Sequence, residues 1–168
     1  HSGGLLPLDR VRAVTDNIVK QVDRSNTIMK NLNRFAHSAD TRRAQANLEE
    51  TLSLIVDLTN RQAAMQNMKT ILKCPPDIAI STYLLSFEAL IYLTLLTLYH
   101  SSAEGSTLCI EVNDEVPKIT ICFTTKNKDD LDLGTYPDDE QKFLAEQVDV
   151  SCLCDKNKLF LTFPAVVN

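Results

Sequence analysis

The sequence predicts an α+β fold in which a long helix precedes a domain of further helices and strands. Three observations support this: a heptad-spaced apolar stripe near the N-terminus, helical runs up to about residue 100, and strand-like runs beyond it. The chain has 168 residues, and 44% of them are hydrophobic. At roughly 100–200 residues per domain, this length corresponds to one domain, or to one domain with a helical appendage.

A long helix is predicted over residues 9–39, which contain neither Gly nor Pro, with Asp9 as a plausible N-cap. Positions 11, 18, 25 and 32 are seven apart, as are 14, 21, 28 and 35, and only Ser25 and Gln21 interrupt this a/d pattern. A helix of ~30 residues is ~45 Å long, which is too long for a small core. Pairing with a second copy is the simplest packing, and a long monomeric helical hairpin is the alternative. The residues predicted to be buried between the helices are Val11, Val14, Ile18, Ile28, Leu32 and Phe35.

Two further helices are predicted in the middle of the chain. The polar segment 38–47 indicates a linker that ends at Asn47, a good N-cap for a helix over residues 48–67. A short strand over residues 69–73 leads into Pro75 and Pro76, which favour an extended turn. The next helix, residues 81–99, contains an apolar run of about eleven residues, fewer than the ~18–20 that span a bilayer. It is therefore predicted to be a buried helix.

The rest of the chain is predicted to be mainly β-structure. Residues 107–113 and 118–124 have the composition of strands separated by turn residues. Residues 126–137 form a polar, acidic loop, and a helix over residues 138–147 is expected to direct Phe143 and Leu144 inward. A final hairpin is predicted, with strands at residues 148–154 and 158–163.

Composition excludes several classes of function. Two of the four glycines are Gly3 and Gly4, so the chain has no glycine cluster of the kind that closes on phosphate in Walker or Rossmann loops. A net charge of -5 without a long basic run argues against nucleic acid as a partner. The five cysteines form no zinc-binding or redox spacing and predict reduced thiols in a cytoplasmic setting; they are Cys74, Cys109, Cys122, Cys152 and Cys154.

The isolated histidines and acidic residues do not form a recognisable catalytic or metal-binding motif. His37 ends the long helix and is interpreted as a surface histidine, with a phosphoacceptor role as the lesser alternative. His100 lies beside two serines but outside any nucleophile elbow. The acidic residues between positions 129 and 140 lack the ligand order of a calcium loop, so a solvated loop is the better interpretation. No metal site and no catalytic residue is predicted.

Three stretches, taken together, resemble the cytoplasmic core of a two-component sensor histidine kinase. Residues 24–38, with Arg24 early and Asn-Arg-Phe-Ala-His at the end, resemble the second helix of the dimerisation and phosphotransfer hairpin. Residues 47–61, which begin Asn-Leu-Glu-Glu, resemble the first helix of the ATP-binding domain, and residues 89–108 resemble its N-box helix and following strand. The resemblance implies a hairpin helix within residues 1–40. For residues 41–168 it implies a histidine kinase ATPase-like, two-layer α/β sandwich with a mixed sheet and three helices on one face.

The nucleotide-binding motifs of that family are altered in this sequence. The family's N-box has two Asn residues, four apart, that hold Mg²⁺ and phosphate, whereas the aligned positions here are Leu93 and Thr97. Leucine offers no oxygen to a hard cation. Where the family has Asp-x-Gly-x-Gly to read adenine, this chain offers Thr125 and Asn127. Aligning residues 123–126 with the family's Phe-Thr-Thr-Lys segment is an alternative, but it also lacks the glycines. An ATPase-like fold without a working ATP site follows, and neither ATP nor Mg²⁺ is expected as a cofactor.

The reactive histidine box of the family is also not recognisable. His1 precedes Pro7 by six residues with glycines between them, so the segment is interpreted as the loop between two hairpin helices. The predicted function is a signal-transduction module that forms a homodimer through its N-terminal helix and contacts a response-regulator receiver domain, without membrane contact by this segment. The alternatives are an active kinase fragment with a divergent ATP site and an unrelated α+β adaptor.

Overall fold

The computed structural model describes residues 11–23, 43–126 and 133–164. The chain divides into two units, His1–His37 and Ser38–Asn168. In the first unit, residues 11–23 form helix α1, and all of them are exposed in the single chain. Val11, Val14 and Ile18 are 47%, 56% and 58% exposed. Their burial between helices stays a prediction about the assembled molecule, and Ile28, Leu32 and Phe35 lie outside the described residues.

The second unit contains two sheets and three helices in its described part. Its elements in chain order are β1 (Ala44–Asn47), α2 (Leu48–Met65), β2 (Lys69–Lys73), β3 (Ala79–Thr82), α3 (Leu84–Ser101), β4 (Thr107–Glu115), β5 (Lys118–Lys126), α4 (Asp139–Gln147), β6 (Ser151–Asp155) and β7 (Lys158–Pro164). The main sheet has the strand order β2-β4-β5-β7-β6. Because β2 and β4 are parallel and the other pairs antiparallel, the sheet is mixed, as predicted.

One hydrophobic core lies between the main sheet and the helices. Alternate residues of the central strands point into it, and Ile110 lies opposite Phe123 in the β4–β5 register. Leu52 of α2 and Leu90 of α3 are fully buried against the same core. Phe87 of α3 meets Phe163 of β7 edge to face, with ring centroids 5.6 Å apart. The described part of the second unit thus has the two-layer α/β arrangement that the resemblance implied.

Several local predictions are confirmed. The Asn47 side chain caps α2 by accepting a hydrogen bond of 3.0 Å from the Glu50 backbone N–H. The strand over residues 69–73 has the predicted bounds, and the final hairpin turns at Lys156 and Asn157. Cys109 and Cys122 are buried, as expected for small apolar side chains in strands. All five thiols are free.

The predicted polar linker is wrong where it covers residues 44–47, because these form β1. This strand pairs antiparallel with β3, and the predicted start of the third helix at residue 81 falls inside β3. The helix begins instead at Leu84, after Thr82 has completed the ladder. Strand β1 alternates only alanine with polar residues and β3 does not alternate, so the sequence signal is weak and the pairing depends on tertiary context.

Helix α3 is longer than its apolar run suggested. It spans Leu84–Ser101, and by length and composition alone its 18 residues would suffice to cross a membrane. Many core helices meet the same criterion, and the described structure places eight of its residues in the interior of the second unit. The prediction of a buried helix therefore holds for its core-facing side.

The orientation predicted for α4 is half wrong. Phe143 is 59% exposed, whereas Leu144 packs against the core. The residues of α4 that are buried are Gln141 and Ala145, four apart and therefore on one helical face. A helix of nine residues with one buried stripe cannot direct two consecutive side chains equally inward.

Candidate functional site

Two threonines place hydroxyl groups on the mainly apolar helix α3. Thr94 is fully buried and donates to the Leu90 carbonyl at 2.7 Å. Thr97 is half-buried and donates to the Leu93 carbonyl at 3.0 Å. Because each hydroxyl proton is used within the helix, each oxygen is left as an acceptor for a group arriving from another element.

The hydroxyl oxygen of Thr94 accepts a hydrogen bond from Tyr136. Its phenolic oxygen lies 2.9 Å from Thr94 Oγ1, so the phenol is the donor. The ring packs against the core, and this burial raises the pKa of Tyr136 far above its ordinary value. A neutral, donating phenol at this position is therefore the stable form.

The hydroxyl oxygen of Thr97 accepts a hydrogen bond from Gln141. Its Nε2 donates to Thr97 Oγ1 at 3.0 Å, while its Oε1 accepts from the Asp138 backbone N–H at 2.9 Å. The Asp138 side chain in turn accepts from the Gln141 backbone N–H at 2.8 Å, which completes a capping box at the start of α4. One side chain thus caps α4 and joins it to α3.

We call these five residues, Thr94, Thr97, Tyr136, Asp138 and Gln141, the α3–α4 network. Its hydroxyl and amide groups bond to one another or to the backbone, and Gln141 is only 2% exposed. A second link, from Ser86 Oγ to Gln147 Oε1 at 2.9 Å, joins the opposite ends of the two helices. The surface of α3 that faces α4 is therefore occupied by the protein's own polar groups.

Two thiols lie beside the network. Burial raises the pKa of Cys152, and the nearby Cys154 adds to the rise. Partial desolvation raises the pKa of Cys154 as well, although its side chain is exposed. Both thiols are therefore protonated at neutral pH, which makes them poor nucleophiles and poor metal ligands.

The structure brings together only part of the predicted nucleotide positions. Leu93 and Thr97 share one turn of α3 and are both half-buried. Thr125 is half-buried in β5, opposite Leu108 of β4. Asn127 lies outside the described residues.

Sequence reasoning did not identify Tyr136 and Gln141 as neighbours of α3. The Asp-x-x-Gln spacing at positions 138 and 141 is a capping-box signal and could have marked Gln141 as a fixed side chain. No comparable signal marks Tyr136, because its partner Thr94 is distant in sequence.

Metal chemistry does not mark another site in the described parts of the chain. No group of three or more His, Cys, Asp or Glu side chains among these residues is arranged to hold a metal ion. A small cavity of about 20 Å³, bordered by Thr82, Phe87 and Phe163, has room for about one water molecule. Its size excludes a nucleotide.

Comparison with solved structures identifies the fold. The catalytic domain of histidine kinase ThkA superimposes with a TM-score of 0.60 at 8% identity, covering 74% of this chain and 98% of that domain. The cytoplasmic segment of histidine kinase QseC matches with a TM-score of 0.58 at 13% identity, over 96% of this chain and 97% of that one.

A third match, with a TM-score of 0.55 and 12% identity, is ThkA in complex with the response regulator protein TrrA; it covers 96% of this chain and 53% of that chain. No protein-family model matches the sequence, and no curated protein matches it. The chain therefore has the fold of histidine kinase catalytic domains, which confirms the predicted resemblance at the level of the fold.

Proposed function

We propose that this chain is a signalling module of a two-component sensor histidine kinase whose nucleotide site is degenerate. In this proposal it acts through contacts with other proteins: a second copy of itself, bound through the N-terminal helix, and the receiver domain of a response regulator. The fold supports the kinase origin, and the complex of ThkA with a response regulator supports the class of partner.

The observation that carries the proposal is the surface of α3 that faces α4. The positions aligned with the family's Mg²⁺-binding asparagines are Leu93, which has no ligand atom, and Thr97, whose hydroxyl already bonds to Gln141. Mg²⁺ requires near-octahedral oxygen coordination. One engaged hydroxyl and one leucine cannot supply the protein's share of it.

The occupancy of Thr94 by Tyr136 provides a second argument. A ligand that approached this part of α3 would have to displace a packed phenol and break its bond to Thr94. Unless the ligand restores this bond, the buried hydroxyl loses its partner, and such a loss typically costs about 1–3 kcal/mol.

The test is isothermal titration of the chain with Mg-ATP and with Mg-ADP. We expect no heat of binding at millimolar nucleotide. A histidine kinase catalytic domain that retains both N-box asparagines serves as the positive control. Binding tighter than ~100 µM, about -5.5 kcal/mol, would contradict the degenerate site and favour an active kinase.

The double variant Tyr136→Ala/Gln141→Ala distinguishes an ATP site that these side chains cover from an ATP site that has lost its metal ligands. If these side chains merely cover a competent site, their removal should allow ATP to bind. If the metal ligands are absent, as we propose, the variant gives no heat of binding with Mg-ATP. Circular dichroism and urea unfolding establish that the variant is folded before the titration is interpreted.

The partner class is tested by titrating receiver domains from the same organism into the chain. We expect at least one to bind with a Kd below ~100 µM, with or without nucleotide. Nucleotide-independent binding would agree with a contact-based role. Binding by none of them would remove the response regulator from the proposal.

A further inference from the structure

Strand β6 ends the main sheet with an open edge. It pairs with β7 on one side, and no other strand in the described residues pairs with its outer side. Four of its five residues are exposed, among them Leu153 at 64%. The edge therefore presents unpaired backbone groups together with an apolar side chain.

The orientation of these backbone groups follows from the hairpin register. A two-residue turn at Lys156 and Asn157 makes Asp155 and Lys158 the closing, hydrogen-bonded pair of β6 and β7. Because hydrogen bonding alternates along an antiparallel ladder, the N–H and C=O groups of Cys152 and Cys154 point to the open side.

The β6 edge lacks the usual protection against pairing with another strand. Its sequence, Ser-Cys-Leu-Cys-Asp, contains no Lys and no Pro, and its register with β7 is continuous, without a bulge. The opposite edge of the sheet, β2, carries Lys69 and Lys73 at its two ends. Of the two edges, β6 is the one suited to accept a strand.

We propose that β6 pairs antiparallel with β6 of a second copy of this chain, about a two-fold axis at Leu153. The sequence around Leu153 is palindromic, since Cys152 and Cys154 flank it symmetrically. The two-fold axis therefore sets Cys152 of one copy opposite Cys154 of the partner subunit. These are the residues whose backbone groups point outward, so both pairs can exchange hydrogen bonds and join two five-stranded sheets into one.

The side chains and charges of β6 fit this occupant. The two Leu153 side chains meet across the axis on the sheet face away from the helices, which removes both exposed leucines from water. Asp149, which also pairs with Arg43, precedes the strand and Lys156 follows it, so antiparallel pairing places Lys156 of one copy beside Asp149 of the partner subunit and Asp155 opposite an uncharged serine. A parallel arrangement would set like charges together.

This interface is independent of the helical dimer in the proposed function. It involves five residues per copy and is too short to hold two chains together at low concentration, since stable interfaces bury about 1,200–2,000 Å². A covalent readout is therefore the appropriate one. Opposite residues in a hydrogen-bonded pair have Cα atoms ~5.5 Å apart, within the disulfide range of ~4.4–6.8 Å.

The experiment is oxidation of the full chain by diamide in a Cys74→Ser background, at a pH of about 9 because the thiolate is the form that reacts. Diamide takes two electrons and two protons from a pair of thiols and becomes the hydrazine, leaving a disulfide. We expect a covalent dimer that is lost in Cys152→Ser and in Cys154→Ser, because each variant lacks one member of every pair. An equal mixture of the two variants should regain it, because Cys154 of one then faces Cys152 of the other.

Two further variants distinguish specific pairing of β6 from nonspecific cross-linking. Leu153→Lys should lower the yield of dimer about tenfold, whereas Ile71→Lys, an exposed position on the opposite edge, should leave it unchanged. If either of the variants Cys152→Ser and Cys154→Ser cross-links alone as well as the mixture does, or if the mixture gives no dimer, the proposed register is wrong.

Discussion

At the scale of single residues, Cys74 has the most clearly shifted thiol. Desolvation by burial, and secondarily the negative charge of Glu49, raise its pKa from 9.0 to about 11. Since the thiolate is the reactive form, its alkylation by iodoacetamide should be slow at pH 8 and rise about tenfold per pH unit up to roughly pH 11.

Glu49→Gln removes one of the two causes and should therefore lower the pKa and speed the alkylation at pH 8. Glu50→Gln is the matched control, because it removes the same charge from the neighbouring position. Mass spectrometry of the Cys74 peptide measures both rates. Equal rates in the two variants would show that the charge of Glu49 does not act on this thiol.

The same shift predicts how stability depends on pH. The thiol of Cys74 ionises near pH 9.0 in the unfolded chain and near pH 11 in the folded one. The stabilisation is therefore complete below pH 9.0 and is lost as the pH rises through 11. Urea midpoints should fall over this window, and they should fall less in Cys74→Ala because that variant lacks the thiol. Part of the fall should remain, because the pKa values of Cys152, Cys154 and Tyr136 are raised as well.

What the sequence predicts at this scale depends on how local the cause is. Asn47 could be identified as an N-cap because its bond reaches only to Glu50, three residues away. The role of Tyr136 could not, because it depends on Thr94, 42 residues earlier. Leu93 and Thr97 could be placed on the correct helix, but their neighbours Tyr136 and Gln141 could not be assigned without the fold.

At the scale of elements, the helices were predictable because caps and apolar periodicity are local signals. The pairing of β1 with β3 was not, since Ala44–Asn47 is a short polar segment that becomes a strand only beside Ala79–Thr82. The exposed Phe143 shows the same limit in α4. Its burial depends on which face meets α3, and that face is selected by Gln141 and Ala145.

The capping box gives a prediction for α4. Asp138→Ala removes the side-chain acceptor for the Gln141 backbone N–H and should lower the free energy of unfolding by about 1 kcal/mol. Asp139→Ala is the control: it removes a neighbouring charge in the first turn but not the cap. Urea unfolding of both variants checks the difference, and equal losses would show that charge rather than capping stabilises the start of α4.

At the scale of the whole molecule, the fold was predictable because the order of helices and strands can be read from the sequence without a match to any nucleotide motif. Similar solved structures share only 8% and 13% of their residues with this chain, yet cover it over 74% and 96% of its length. A core tolerates exchange of apolar residues when volume and pattern are kept. A Mg²⁺ site needs oxygen ligands, so the proposed alignment of Leu93 with a ligand position is what leads to the prediction of a degenerate site.

The N-terminal helix provides the last prediction. Every described residue of α1 is exposed in the single chain, and Ile18 and Val19 are exposed to similar extents, 58% and 53%. Only Ile18 belongs to the heptad stripe; Val19 lies on the next helical position, turned about 100° away. If the stripe is an interface, Ile18→Asp should convert the dimer to monomer in sedimentation velocity, as should Ile28→Asp or Leu32→Asp, whereas Val19→Asp should leave it dimeric.

Both Ile18 and Val19 are solvent-exposed in the single chain, so neither substitution should unfold the second unit, and urea midpoints should match the parent. A burial-driven dimer loses apolar contact and gains two buried carboxylates at the axis only in the Ile18 variant. Identical sedimentation of the two variants would therefore show that the heptad stripe does not form the interface. Because β6 lies outside this helix, the diamide cross-link should persist in Ile18→Asp, which separates the two modes of association in one molecule.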